Sequence, residues 1–179
     1  MILDRLLTFT GAVGTSIVDS WAAGDPTEST NVIDWHMAGL PTLSNLQGAR
    51  DMGIGDDPAL KLLVQVITAF AGGTSIVFTL QGAPDNGSGA PGTYVSWWAS
   101  PIYTAAQLVV GARLLDMDFP RPPAAVGVPR FVRLLYTNVG TFTAGEIYAG
   151  IVLDRMDQMY QGTNNAILGG YPAGITVAN

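Results

Sequence analysis

Residues 61–81 read KLLVQVITAFAGGTSIVFTLQ, two apolar-alternating runs on either side of Ala71-Gly72-Gly73. In the first run Leu62, Val64, Val66 and Phe70 share one parity, while Lys61, Gln65 and Ala69 take the other. In the second, Ile76, Phe78 and Leu80 alternate with Ser75, Val77, Thr79 and Gln81. Side chains alternate faces along a strand, so a period of two collects the large apolar groups on one side of a sheet. A helix fits poorly, because β-branched residues are dense and a glycine pair interrupts the pattern. A short Gly-containing link between two such runs predicts a hairpin, here the central one of an all-β domain.

The rest of the chain agrees with that class. Its 179 residues suit a single domain with a sizeable core. Charged residues make up 12%, about half of what is usual for soluble domains, and Gly (22) and Pro (11) are plentiful. Short strands, many turns and a neutral surface follow, and a neutral surface suits coverage by partners. Eight basic against 14 acidic residues leave a net charge of −6, and no basic patch suggests nucleic acid. Without cysteine there are neither disulfides nor thiolate metal sites. Asp4 and Arg5 interrupt the opening apolar run, which excludes a signal peptide there. The uncharged runs 62–84 and 86–112 are broken by Gly, Pro and polar residues, so neither is expected to span a membrane.

Outward from the centre, the expected order is an N-terminal arm over 1–20, with an apolar segment Ile2–Phe9 and a strand-like Thr15–Val18. A turn or small insertion follows at Trp21–Pro26, then a strand over Ser29–Asp34 and a long surface loop over 38–55. Past residue 81, 82–92 has the composition of a loop tip, 93–100 alternates again, and 104–115 suits either a strand or helical turns. The prolines of 119–129 forbid regular structure. A second hairpin is expected from Arg130–Asn138 and Gly145–Leu153, with Ile147, Ala149, Ile151 and Leu153 on one face and Glu146, Tyr148 and Gly150 on the other. About eight strands at this spacing predict a sandwich or barrel. Residues 158–179 carry no charge and read as a tail that orders only against something else. The domain is thus 1–157, with the tail after it.

Chemistry is sparse. His36 is the only histidine, and no ligand-spaced cluster surrounds it, so it reads as a surface or interface residue. Ser29 or Ser44 with Asp34 and His36 would make a hydrolase triad, but no nucleophile elbow supports one. Asp85-Asn-Gly-Ser-Gly89 lacks the register of a calcium loop and has the residues of a tight turn. Asp51, Asp56 and Asp57 read as a solvated acidic loop, and Arg50, Arg130 and Arg133 as candidates for pairing with a neighbour's carboxylates. If Trp97 and Trp98 lie on a strand they face opposite ways, one into the core and one outward. No catalytic residue, cofactor or metal is expected, and the chain does not read as an enzyme.

The opening MILD, Ser29-Thr-Asn-Val-Ile-Asp34, Ala49-Arg-Asp-Met-Gly-Ile-Gly55 running into Leu62-Leu-Val-Gln-Val66, Arg130-Phe-Val-Arg-Leu-Leu-Tyr136, Gly140-Thr-Phe-Thr-Ala-Gly145 and Ala149-Gly-Ile-Val-Leu-Asp154 follow one another in the chain. In that order they resemble the Bbp16-like family of tailed-phage capsid cement (decoration) proteins. The resemblance spans about residues 1–154. It implies a jelly-roll-like antiparallel β-sandwich with long Gly/Pro-rich loops and extended terminal segments, made in the host cytoplasm and bound to the outer capsid surface of the virion. The implied partners are the major capsid protein, whose neighbouring subunits it would bridge, and further copies of itself, a homodimer ahead of a homotrimer. Neither nucleic acid nor membrane is implied. The expected capsid or oligomer contacts are Ile2, Leu3 and Leu6 near the start, Trp35, His36 and Met37, and Ile167, Leu168 and Tyr171 in the tail. The alternative is a jelly-roll glycan-binding module on the virion surface, since tryptophan stacks on sugars. A small esterase or glycosidase would need a paired acid and base in a cleft.

Overall fold

The computed structural model describes residues 2–10, 17–22, 24–35, 60–123 and 129–153. Among these residues ten strands follow in chain order: β1 (Ile2–Thr8), β2 (Asp19–Ser20), β3 (Ile33–Asp34), β4 (Leu60–Gly72), β5 (Ser75–Ala83), β6 (Val95–Ala99), β7 (Tyr103–Thr104), β8 (Arg113–Asp118), β9 (Phe131–Val139) and β10 (Phe142–Leu153). One antiparallel sheet has the order β1-β10-β4-β8, with β2 also on β10; the other has β3-β9-β5-β6, with β7 also on β5. Setting aside β2 and β7, which lie off the main path of each sheet, successive strands alternate between the sheets except for β5 and β6, which are consecutive and paired. That order is the jelly roll, which the resemblance implied.

The two expected hairpins are corrected by this topology. β4 and β5 belong to different sheets, and so do β9 and β10. Alternation fixes which face of a strand points inward but not which strand lies beside it, so both arrangements bury the same side chains. What distinguishes them is where the connecting backbone finds partners. Gly73 N donates to Thr141 O at 2.8 Å and Thr74 N to Val139 O at 2.7 Å, so the β4–β5 corner bonds to the β9–β10 corner. Gly72 and Gly73 sit at φ +71° and +56°, and Gly140 at +76°, where side chains are disfavoured. The stacking is tight: a Cβ on Gly73 would lie 2.4 Å from the Phe142 ring. Two arches therefore close one end of the sandwich, bringing inward-facing strands opposite each other.

The core lies between the sheets. Leu62, Val64, Val66, Ile147, Ala149 and Ile151 from one sheet meet Ile76, Phe78, Leu80, Val132, Leu134 and Tyr136 from the other. The parity read from sequence is the parity found. Phe78 is edge-on to Tyr136 at 5.8 Å, and Trp21 packs on Phe70 (4.9 Å) and Tyr136 (5.6 Å), geometries that add to simple burial. The segment expected as a turn at Trp21 thus contributes the largest wholly buried side chain among the described residues. A small second cluster of Leu63, Tyr148, Val152 and Val18 covers the outer side of the β4–β10 sheet.

The segment expected as an arm is strand β1, paired with β10 through Ile2↔Leu153, Leu3↔Val152 and Thr8↔Gly150 with an irregularity between. The ambiguous 104–115 stretch resolves into β7, a 3₁₀ turn over Ala105–Gln107 and the start of β8. On β6, Ala99, Trp98 and Ser96 oppose Thr79, Leu80 and Gln81, so Trp97 is an extra residue in a bulge. Both Trp97 and Trp98 consequently pack against the core, half-buried, instead of facing opposite ways. The strand expected over Ser29–Asp34 is confined to its last two residues, with Glu28 bridging Leu135 just before it.

Candidate functional site

The sandwich has two chemically different ends. At the arched end meet residues 67–80, 99–112 and 136–145, none of which is charged. Their meeting is fixed by the pairs Ser75↔Thr104 and Ser75↔Val139, and by Phe70 N donating to Leu108 O at 3.1 Å. Of the exposed large apolar side chains among the described residues, Ile67, Ile102 (66%), Val109, Val110 (64%) and Val139 lie here, leaving Ile17 and Val95 elsewhere. Asp25, whose carboxylate accepts from Phe142 N at 2.7 Å, and Glu146 stand at its margin.

Toward the opposite end lie ion pairs. Lys61 pairs with Asp118 across β4 and β8. Arg130, at the start of β9, grips Asp34 with two bonds, Nε to Oδ1 at 2.9 Å and Nη2 to Oδ2 at 3.0 Å, and also pairs with Asp85. A two-pronged guanidinium–carboxylate contact fixes geometry as well as charge. The hydrogen bonds to Asp34 lead in holding the Arg130 guanidinium above its ordinary pKa. Asp85 Oδ1 in turn accepts from Gly87 N (2.7 Å) and Gly89 N (3.0 Å); the bond from Gly89 leads in lowering its carboxyl below the ordinary 3.8, with Arg130 adding to it. One arginine thereby ties β3, β9 and the 84–92 loop together. Three residues on, Arg133 bonds Gln81 Oε1 at 2.9 Å, pairs with Glu28 and lies 3.7 Å over the Tyr94 ring. Of the three arginines suspected of serving a neighbour's carboxylates, Arg130 and Arg133 are satisfied within this chain.

One buried polar pair crosses the core. Tyr136 donates to Asp19 Oδ2 at 3.0 Å, with both side chains almost wholly buried. Burial, then the Asp19 charge, pushes the Tyr136 phenol well above 10.0. Sequence reading missed this pair, because Asp19 falls between the strand-like Thr15–Val18 and the turn expected at Trp21–Pro26 and opens the two-residue β2.

The expected contact residues fall as follows. Ile2, Leu3 and Leu6 lie on β1, in the sheet. Trp35 is buried against Phe119, edge-on at 6.2 Å, so its ring is committed to the core of this chain. His36, Met37, Ile167, Leu168 and Tyr171 lie outside the described residues, as do Ser44, Arg50, Asp51, Asp56 and Asp57 and the 158–179 tail. Ser29 accepts from Leu134 N at 3.1 Å and donates to Asn31 O at 2.9 Å, while Asp34 holds Arg130. Both residues are thus occupied structurally. Asp85–Gly89 is the tight turn its composition suggested. Among the described residues no group of three His, Cys, Asp or Glu side chains could hold a metal ion, and no helix is long and apolar enough to cross a membrane. The apolar tips Ile102, Val109, Val110 and Val139 went unrecognised, although the uncharged run 86–112 was a signal for three of them.

Comparison with known proteins finds one family match: the model described as Bbp16 covers residues 17–151 of the 179. No curated protein matches the chain.

Proposed function

The chain belongs to the Bbp16 family, and from that premise we propose that it is a capsid cement protein of a tailed bacteriophage. It binds the outer face of the shell, bridges neighbouring major capsid subunits and stabilises them. The observation that carries this reading is the division of the jelly roll into an uncharged end tipped by Ile102, Val109, Val110 and Val139 and an end where the ion pairs are satisfied internally. Burying the apolar tips of the first end desolvates little charge, since Asp25 and Glu146 stand only at its margin, so ordinary apolar contact is enough to hold it. Each contact can be weak, because a symmetric homodimer, or failing that a trimer, engages several subunits at once and gains from effective concentration. The glycan-binding alternative receives less support: Trp21 and Trp35 are buried and Trp97 and Trp98 half-buried, so none is a fully exposed ring.

Cryo-electron microscopy of particles carrying the protein tests the proposal. Regular density on the outer shell, bridging neighbouring subunits through the arched end, is the expected result. Density confined to tail or fibre, or none on the shell, overturns it. Readdition of the protein to shells lacking it is expected to persist as salt rises, because apolar contacts are not screened.

A further inference from the structure

Asn86 is followed by Gly87, the one Asn-Gly pair in the chain, at the exposed tip of the 84–92 loop. The hydrogen bonds around it have a chemical direction. Gly87 N–H, the group that must attack for an asparagine to cyclise, donates to the Asp85 carboxylate at 2.7 Å. Asn86 Oδ1, the oxygen that gains charge in that attack, accepts from Ser88 N at 2.9 Å and from Ser88 Oγ at 2.6 Å. A base within hydrogen-bond reach of the nucleophile and two donors on the developing oxyanion are what acyl transfer requires. Gly87 adopts φ +91°, and apart from its chain neighbours nothing lies within 4 Å of where a Cβ would be, so the loop is open on that side. Asn31 and Asn138 differ. Each is followed by valine, and Asn31 Nδ2 is held by Thr8 O at 2.6 Å.

We propose that Asn86 is a self-modifying site, built by its own loop to deamidate. Gly87 N attacks Asn86 Cγ and a C–N bond forms, its proton passing by way of the Asp85 carboxylate. The Cγ–Nδ2 bond breaks and ammonia leaves with that proton, giving a succinimide. Water then opens the ring at either carbonyl, leaving aspartate or isoaspartate at position 86. No enzyme, metal or oxidant is consumed. The product places a further carboxylate beside Asp85, where Arg130 already serves both Asp85 and Asp34. Folded protein thus acquires charge at this end with age. The inference is independent of the capsid reading.

The test is incubation of the intact folded protein at neutral pH and physiological temperature, followed by peptide mass spectrometry and enzymatic methyl-labelling of isoaspartate. Conversion at residue 86 is expected to outpace Asn31 and Asn138 by at least tenfold. Ser88→Ala, a substitution on an exposed loop, removes one oxyanion donor and is expected to slow it severalfold; Asp85→Asn is expected to do the same. Asn86→Gln is expected to abolish it. Conversion no faster at Asn86 than at Asn138 overturns the proposal. So does a Ser88→Ala rate that is unchanged or higher, since the hydrogen bonds would then protect the amide.

Discussion

Replacing Gly73 by alanine tests whether the two arches hold each other. The residue sits at φ +56°, and forcing a side chain into the left-handed region costs about 1–2 kcal/mol. The added Cβ would also meet Phe142 at Cε1 (2.4 Å), Cδ1 (2.5 Å) and Cζ (2.7 Å). That ring is 1% exposed and packed edge-on against Phe70 at 5.0 Å, so it has little room to retreat. Overpacking of this kind costs about 1–3 kcal/mol more, bringing the total to roughly 2–5 kcal/mol. Against a typical domain stability of about 5–15 kcal/mol that is a large fraction.

Gly111→Ala is the matched control. Gly111 sits at φ +79° with open space where its Cβ would go, so it carries the backbone cost alone. Urea titration of both variants, followed by tryptophan fluorescence, is expected to place the Gly73→Ala midpoint lower by on the order of 1 M, with the slope unchanged. Adding Phe142→Leu to Gly73→Ala is expected to be less than additive by about 1 kcal/mol, because the smaller side chain relieves the collision. Equal midpoints for Gly73→Ala and Gly111→Ala, or strict additivity with Phe142→Leu, would refute the stacked-arch account.

Three further outcomes follow from the polar contacts. Tyr136→Phe removes a buried donor from Asp19 and is expected to cost about 1.5–3 kcal/mol by chemical denaturation. Because the folded phenol is raised above its unfolded value of 10.0, its contribution is fully present below about pH 10 and is lost as pH rises through the folded pKa. Loss of stability above pH 10 is therefore expected to be shallower in Tyr136→Phe, and identical alkaline limbs would count against a buried, un-ionised phenol. Arg130→Lys gives up the two-pronged hold on Asp34 and is expected to loosen the 84–92 loop, read as faster hydrogen exchange at Gly87 and Gly89 with the β4–β10 amides unchanged.

Much of the fold was legible because burial imposes a period that sequence displays directly. The inward faces of β4, β5 and β10 follow from the parities of Leu62, Ile76 and Ile147, and those strands were located from them. The pairing was not legible, because Gly72-Gly73 suits a hairpin turn and an arch alike. The decision belongs to Thr141 and Val139, nearly seventy residues away, whose carbonyls take the N–H groups of Gly73 and Thr74. Nor could parity place Trp97, since a bulge adds one residue and turns two neighbours the same way.

The candidate surface was half legible for a related reason. Absence of charge is a property of sequence, and the runs 62–84 and 86–112 display it without any structure. Which uncharged residues end up exposed is a property of pairing. Val139 sits at the end of β9, and its neighbour across the ladder is Ser75, the first residue after the arch. Had β4 and β5 paired as a hairpin, Ser75 would have had a β4 residue beside it. Val139 would then have lain elsewhere, and the uncharged runs would not have converged on one end. The stacked glycine corners that decide the topology therefore also create the apolar end. On the capsid proposal, a variant that loosens the Gly73–Phe142 contact without unfolding the sandwich is accordingly expected to weaken shell binding more than substitution of the Arg133–Glu28 pair. Side-by-side cosedimentation of the two variants with shells lacking the protein would show the order, and the reverse order would place the binding surface at the charged end.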